Sequence, residues 1–358
     1  MGTIAINSTP KMPNISSQLK KGEKLVYVNG KWTIMPDFTI TKKGSQKGYD
    51  MILNSAMKNN TTLTAGKRKK NDEYYITYDE VVKELTHYSH YFENATIYCP
   101  IDKLNPDNEV SILKFFRNNI KKYNIKRFVC SYYSTNSNGT VLTIHKDGEE
   151  VYNLKGNGHF TSKECIELMR ASDIVVANPA GSSIRLFIDQ LMETNKKFIF
   201  VGDINMVPYK SVFKYIMFGK LFAGYTKPEY FATDLADVDK PNQYKQNGIV
   251  YEKFGNKIWF TNLPVDSKEE LALSCSYNPK KYVKYDESDV IEVNKVKNIP
   301  YDYNEVMGVP LNFFESYNPA QFEIVGRMNG NTYEGYACFA IINGSQKYQR
   351  LLIRRVSK

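Results

Sequence analysis

Four short runs of almost unbroken apolar residues limit what this chain can become: Ala95-Thr96-Ile97-Tyr98-Cys99, Arg127 to Tyr133, Asp173 to Ala177 and Lys197 to Gly202. A strand with one face in water alternates apolar with polar residues, whereas a strand covered on both faces need not. Around these runs the apolar spacing is helical. Val81, Val82, Leu85, Tyr88 and Phe92 mark one helix over 78–92, and Ile112, Leu113, Phe115, Phe116 and Ile120 mark another over 110–123. Thr161 or Ser162 caps a third through Ala171, and 182–195 form a fourth. Thr140 to Leu154 reads as a polar hairpin turning at Asp147-Gly148. The alternation predicts an α/β fold over about 71–225, with a doubly wound, mostly parallel sheet.

Beyond about 225 the alternation stops. Tyr, Asn, Lys and Pro interrupt short apolar runs such as Lys257-Ile258-Trp259-Phe260 and residues 337–342, which predicts a smaller, irregular, strand-rich unit over 226–358. Two units suit 358 residues at roughly 100–200 per domain. Residues 1–70 differ from both. They hold 13 Lys/Arg against 3 Asp/Glu, a balance of +10, and the remaining 35 basic and 35 acidic residues cancel. The whole net charge therefore sits on a basic N-terminal extension that ends in Lys67-Arg68-Lys69-Lys70. Lysines that neutralise phosphates release counterions, so this arm is a candidate nucleic-acid grip, with a solubilising tail as the alternative. Within it, Asn29-Gly30 between two apolar runs predicts a hairpin.

Several classes are excluded as expectations. No apolar run approaches the ~20 residues of a membrane-spanning helix, and the first residues lack a signal-peptide layout. Five cysteines without a CxxC pair predict neither a disulfide framework nor a zinc site, and point to a reducing, intracellular setting. His87 and His90 lie three apart, but no third ligand with suitable spacing accompanies them, so no metal is expected.

In doubly wound sheets ligands bind beyond the carboxyl ends of the strands. After the Asp173 run comes Asn178-Pro179-Ala180-Gly181, which alone is compatible with a simple strand-to-helix turn. Its surroundings are more specific. DIVVANPAGSSIRLFIDQL, then KKFIFVGDIN and YKSVF, with Asn71 to Tyr75 and Ile97-Tyr98-Cys99 upstream and IPYDYNEVMGVPLNFFESYNPAQFEIVG at 299–326, resembles the EcoRI-type adenine-specific DNA methyltransferases over about 71–345. The resemblance implies a methyltransferase-like fold, double-stranded DNA as partner, S-adenosylmethionine as methyl donor, and transfer to N6 of an adenine flipped from the duplex. An exocyclic amine conjugated to its ring is a poor nucleophile, so acceptors must take its hydrogens and localise the lone pair. The resemblance assigns that role to Asn178 and Pro179, and places Tyr74, Tyr75, Cys99 and Asp102 on the cofactor side. Tyr74 and Tyr75 are compatible with a purely structural role as well.

The chain departs from the family at the chemistry. The family's Asn-Pro-Pro-Phe loop here carries Ala180-Gly181, without the ring that stacks on the flipped base. Base–aromatic stacking contributes roughly 1–3 kcal/mol. A paired acidic Asp-Asp-Pro segment is replaced by Pro100-Ile101-Asp102-Lys103-Leu104, and Gly-Asp-Gly-Asp-Phe by Gly156-Asn157-Gly158-His159-Phe160. Charge-assisted hydrogen bonds contribute roughly 1.5–3 kcal/mol each. These losses predict a DNA-binding protein on a methyltransferase scaffold with transfer impaired or lost. Two alternatives stand beside it: an active adenine-N6 methyltransferase, and a structural or interaction protein of viral or mobile-element origin.

Overall fold

The computed structural model describes residues 23–28, 31–36, 74–101, 110–233, 241–265, 268–286, 288–328 and 340–356. Asp102 and Lys67, Arg68, Lys69 and Lys70 lie outside the described residues. The N-terminal hairpin pairs β1 (Glu23–Val28) with β2 (Lys31–Pro36), Val28 opposite Lys31; Asn29-Gly30, predicted as its turn, lie outside the described residues.

The next strands are β3 (Tyr74–Ile76), β4 (Thr96–Ile101), β5 (Arg127–Tyr132), β6 (Thr140–His145), β7 (Gly148–Asn153), β8 (Ile174–Ala177), β9 (Lys197–Asp203), β10 (Phe222–Ala223), β11 (Tyr230–Thr233), β12 (Gln243–Gln246), β13 (Ile249–Lys253) and β14 (Lys257–Thr261). The helices are α1 (Tyr78–Leu85), α2 (Ser111–Asn119), α3 (Lys163–Ala171), α4 (Ile184–Glu193) and α5 (Lys210–Met217). Eight strands form one mixed sheet in the order β10-β14-β9-β8-β4-β5-β6-β7. Its centre, β9-β8-β4-β5, is parallel, and both flanks are antiparallel. The expected parallel character thus holds for the centre alone. Its four strands are the four apolar runs.

Alternate residues of the central strands enter two separate cores. On one face Tyr98, Val175, Phe198 and Phe200 pack with Met169 of α3, Phe187 of α4 and Val212 of α5. On the other, Ile97, Cys99, Val176 and Val201 pack with Val81 of α1 and Phe115 of α2. A strand sandwiched this way has no wet face, which explains the uninterrupted apolar runs. Ser162 is the cap of α3, its hydroxyl accepting from the Cys165 N–H at 3.3 Å.

Two local expectations are corrected. The β6–β7 hairpin pairs His145 with Gly148, so it turns at Lys146-Asp147, one residue before the predicted Asp147-Gly148. The run Lys257 to Phe260, read as part of the C-terminal unit, becomes β14 of the large sheet, antiparallel to β9. Pattern identified the strand but carried no information about its partner.

A four-stranded antiparallel sheet, β12-β13-β11-β3, stands beside the large one, and β3 joins it through three residues. A second four-stranded sheet, from Ile291–Glu292, Met307–Pro310, Arg350–Arg355 and Phe322–Met328, packs Met307, Val309, Leu351 and Ile353 into the α3–α5 side core.

Candidate active site

The central parallel strands β4, β8 and β9 end on one side of the sheet, and a cavity of about 500 Å³ opens there. Ligand pockets span roughly 300–1,000 Å³. Its wall includes Cys99, Pro100 and Ile101 from β4, Asn178 to Gly181 after β8, and Val201, Gly202 and Asp203 from β9. The far wall comes from the smaller sheet, as Tyr74, Tyr75, Phe231 and Phe254. Of the residues predicted from sequence, Asn178, Pro179, Tyr74, Tyr75 and Cys99 therefore meet at one cavity, although 104 positions separate Tyr74 from Asn178.

Asn178 is the first residue past β8, and Pro179 both ends the strand and holds Asn178 away from helical geometry. The chain then turns through Ala180, whose carbonyl accepts from the Ser183 hydroxyl at 3.2 Å, into α4. Asn178 Nδ2 donates to the Tyr74 main-chain carbonyl at 3.0 Å. That bond fixes which end of the carboxamide is which, because a flipped amide would set two oxygens against each other. The donor end is engaged by protein, and Oδ1 is the end left for a ligand.

Tyr74 is held in turn. Its ring meets Phe254 edge-on at 4.5 Å, and its hydroxyl donates to Glu252 at 3.5 Å. Burial, and then the Glu252 carboxylate, push the Tyr74 hydroxyl pKa above its ordinary value, so it stays neutral. Glu252, nearly buried on β13, also accepts from Asn242 Nδ2 at 3.1 Å and Gln243 Nε2 at 2.6 Å.

Sequence reasoning missed Asp203. It ends β9 inside the cavity wall, where Oδ1 accepts from the Asn205 N–H at 2.8 Å and Oδ2 from Asn256 Nδ2 at 2.6 Å, with Lys257 Nζ at 4.0 Å. The signal was present: Asp203 is the first charged residue after a buried strand, the position where ligands meet such sheets. Tyr209 was missed too. It lines the same cavity, is 40% exposed, and lies beneath the Arg185 guanidinium at 5.4 Å.

The segment 156–160 does not line this cavity. It packs against the end of β5 through Ser134 N–H to the Asn157 carbonyl at 2.9 Å and Gly139 N–H to the Gly156 carbonyl at 2.8 Å. Asn157 Oδ1 accepts from the His159 N–H at 3.1 Å, and His159 Nδ1 pairs with the Thr161 hydroxyl at 2.7 Å. Glu164 accepts from the Lys155 and Gly156 N–H groups at 3.0 and 2.9 Å, which lowers its carboxyl pKa. His87 stacks on Tyr225 and His90 lies against Tyr91; among the described residues no group of three or more His, Cys, Asp or Glu could hold a metal. No helix among them is long and apolar enough to cross a membrane.

Comparison with known proteins agrees with this geometry. The chain is 35% identical over 312 residues to the type II methyltransferase M.MgeORF184P of Mycoplasma genitalium, a match covering 81% of this chain and 97% of that protein. It is 33% identical over 325 residues to the type II methyltransferase M.EcoRI of Escherichia coli, covering 82% and 96%. M.MpnI of Mycoplasma pneumoniae, another type II methyltransferase, is 30% identical over 312 residues, covering 81% and 96%. No solved structure matches the chain. The family model for the adenine-specific methyltransferase EcoRI spans residues 62–355, including every wall of the cavity, and the chain belongs to that family.

Proposed function

We propose that the chain is an S-adenosylmethionine-dependent DNA adenine-N6 methyltransferase whose cavity receives an adenine flipped out of the duplex. The observation that carries this reading is the Asn178 carboxamide, anchored by its nitrogen and leaving its oxygen for a ligand at the mouth of the central strands. Asn178 Oδ1 and the Pro179 carbonyl accept the two N6 hydrogens and draw the lone pair out of conjugation with the ring. The doubly wound, methyltransferase-like reading of the sheet is supported by helices on both faces of its parallel centre.

The cavity suits the donor in volume and in its place at the strand ends. Tyr75, Cys99, Pro100 and Ile101 would hold it, with Asp102 adjoining in sequence. When bound, S-adenosylmethionine supplies a methyl group on a sulfonium centre. Lys67, Arg68, Lys69 and Lys70 would neutralise DNA phosphates, and the region from 226 would read the target.

A second reading, a DNA-binding protein on this scaffold with transfer lost, is favoured by a separate observation. Ala180 and Gly181 bring no ring to the cavity, and Asn157, where the family carries a carboxylate, accepts from its own loop. Incubation with labelled donor and bacterial genomic DNA decides between them. Incorporation that disappears in Asn178→Ala supports the enzyme; salt-sensitive DNA binding without incorporation supports the second reading; neither one rejects both.

A further inference from the structure

We propose that Tyr209 is the ring on which the flipped adenine stacks, in place of the aromatic side chain that the loop after β8 lacks at Gly181. The inference rests on the methyltransferase reading and assigns a base-binding residue within it. Of the aromatic rings in the cavity wall, most already have protein on them. Phe231 is 1% exposed. Phe254 meets Tyr74 and Phe231 edge-on at 4.5 and 5.4 Å, with Lys257 Nζ over its ring at 5.7 Å. Tyr74 is committed to Phe254 and Glu252.

Tyr209 differs. It is 40% exposed and lines the cavity. Its backbone is nevertheless firm: the N–H donates to the Met206 carbonyl at 2.9 Å, and its own carbonyl accepts from Val212 and Phe213 at 2.9 and 2.7 Å to start α5. The ring is therefore open while its anchor is fixed, as a stacking platform requires. Arg185 stands over the ring at 5.4 Å, only four residues beyond Gly181 and in the first turn of α4. A cation in that turn opposes the helix dipole, so its attraction to an aromatic face offsets an otherwise unfavourable placement. The guanidinium on one face leaves the opposite face for a purine, and it ties the platform to the loop that presents Asn178.

The test titrates 2-aminopurine deoxyriboside, whose fluorescence is quenched on stacking, into the full chain and its variants. Tyr209→Leu retains bulk and removes the π-face; Tyr209→Phe retains both. Quenching is expected in the parent and in Tyr209→Phe, about ten- to a hundredfold weaker in Tyr209→Leu, and restored when Gly181→Phe is added to Tyr209→Leu. Absence of quenching in the parent overturns the proposal, as does equal quenching in Tyr209→Leu. Labelled-methyl incorporation measured on the same samples separates it from the reading beneath. Tyr209-dependent quenching without incorporation removes the enzyme and keeps the platform. Incorporation untouched by Tyr209→Leu removes the platform and keeps the enzyme.

Discussion

The loop after β8 and the loop at 156–160 sit in opposite states. At 178–181 the polar group that matters is anchored from behind and leaves its acceptor for a ligand at the cavity. At 156–160 the polar groups close on one another: Asn157 onto His159, His159 onto Thr161, and Glu164 onto the Lys155 and Gly156 N–H groups. Two loops on the same carboxyl edge of one sheet thus present different chemistry. At 178–181 the Tyr74 carbonyl holds the Asn178 carboxamide in place although Ala180 and Gly181 carry no ring. At 156–160 the Asn157 amide and the His159 imidazole make the loop a self-contained piece of structure.

The largest effect that tests this contrast is at Asn178. Asn178→Ala should lower methyl incorporation at least about a hundredfold, the scale of losing one oriented polar group at a reacting centre, while His159→Ala should leave it within about twofold. Equal damage from both would erase the distinction. Next, in a Tyr209→Leu background, Ala180→Pro with Gly181→Phe should strengthen quenching of 2-aminopurine deoxyriboside about ten- to a hundredfold. No gain would mean that a ring at 181 does not reach the base.

A smaller effect probes the other loop as structure. Gly158 has φ +80°, and a Cβ there would collide with the Tyr132 carbonyl. Gly158→Ala should destabilise the fold by about 1–3 kcal/mol, a fall of several degrees in melting temperature by calorimetry. An unchanged melt would show that the loop carries no structural duty. The smallest effect concerns Glu164, whose carboxyl pKa lies below its ordinary value because two N–H groups donate to the ionised form. A carboxyl depressed on folding contributes stability above its unfolded pKa and loses it as pH falls through the folded value. Glu164→Gln should therefore melt slightly lower than the parent at pH 7, and the gap should close as pH falls through the depressed folded value.

Much of this was legible in the residues, and the limits have physical causes. The four central strands are apolar because both faces are covered, so one-dimensional pattern sufficed to find them. The partner of Lys257–Thr261 was not legible, since a buried strand looks alike at a sheet edge or in another unit. Tyr74 and Tyr75 were singled out through the family resemblance, but nothing local says that Tyr74 matters through its main-chain carbonyl, which any residue except a displaced one would supply. Asp203 and Tyr209 lie outside the segments that the family resemblance marks for acids and rings, whereas the strand-end rule alone reaches Asp203. The short turn at Lys146-Asp147 was misplaced by one residue because both dipeptides suit a tight hairpin.

The anchoring of Asn178 by Tyr74 has a mechanical corollary. β3 holds its place in the smaller sheet through only three paired residues, Tyr74 to Ile76 against Thr233 to Phe231. A slip of one position would exchange inward and outward side chains and withdraw the carbonyl from the carboxamide. The smaller sheet is thereby a clamp whose alignment sets whether the amide is locked or free to spin, and a load applied to β11–β13 would reach Asn178 by way of the backbone alone.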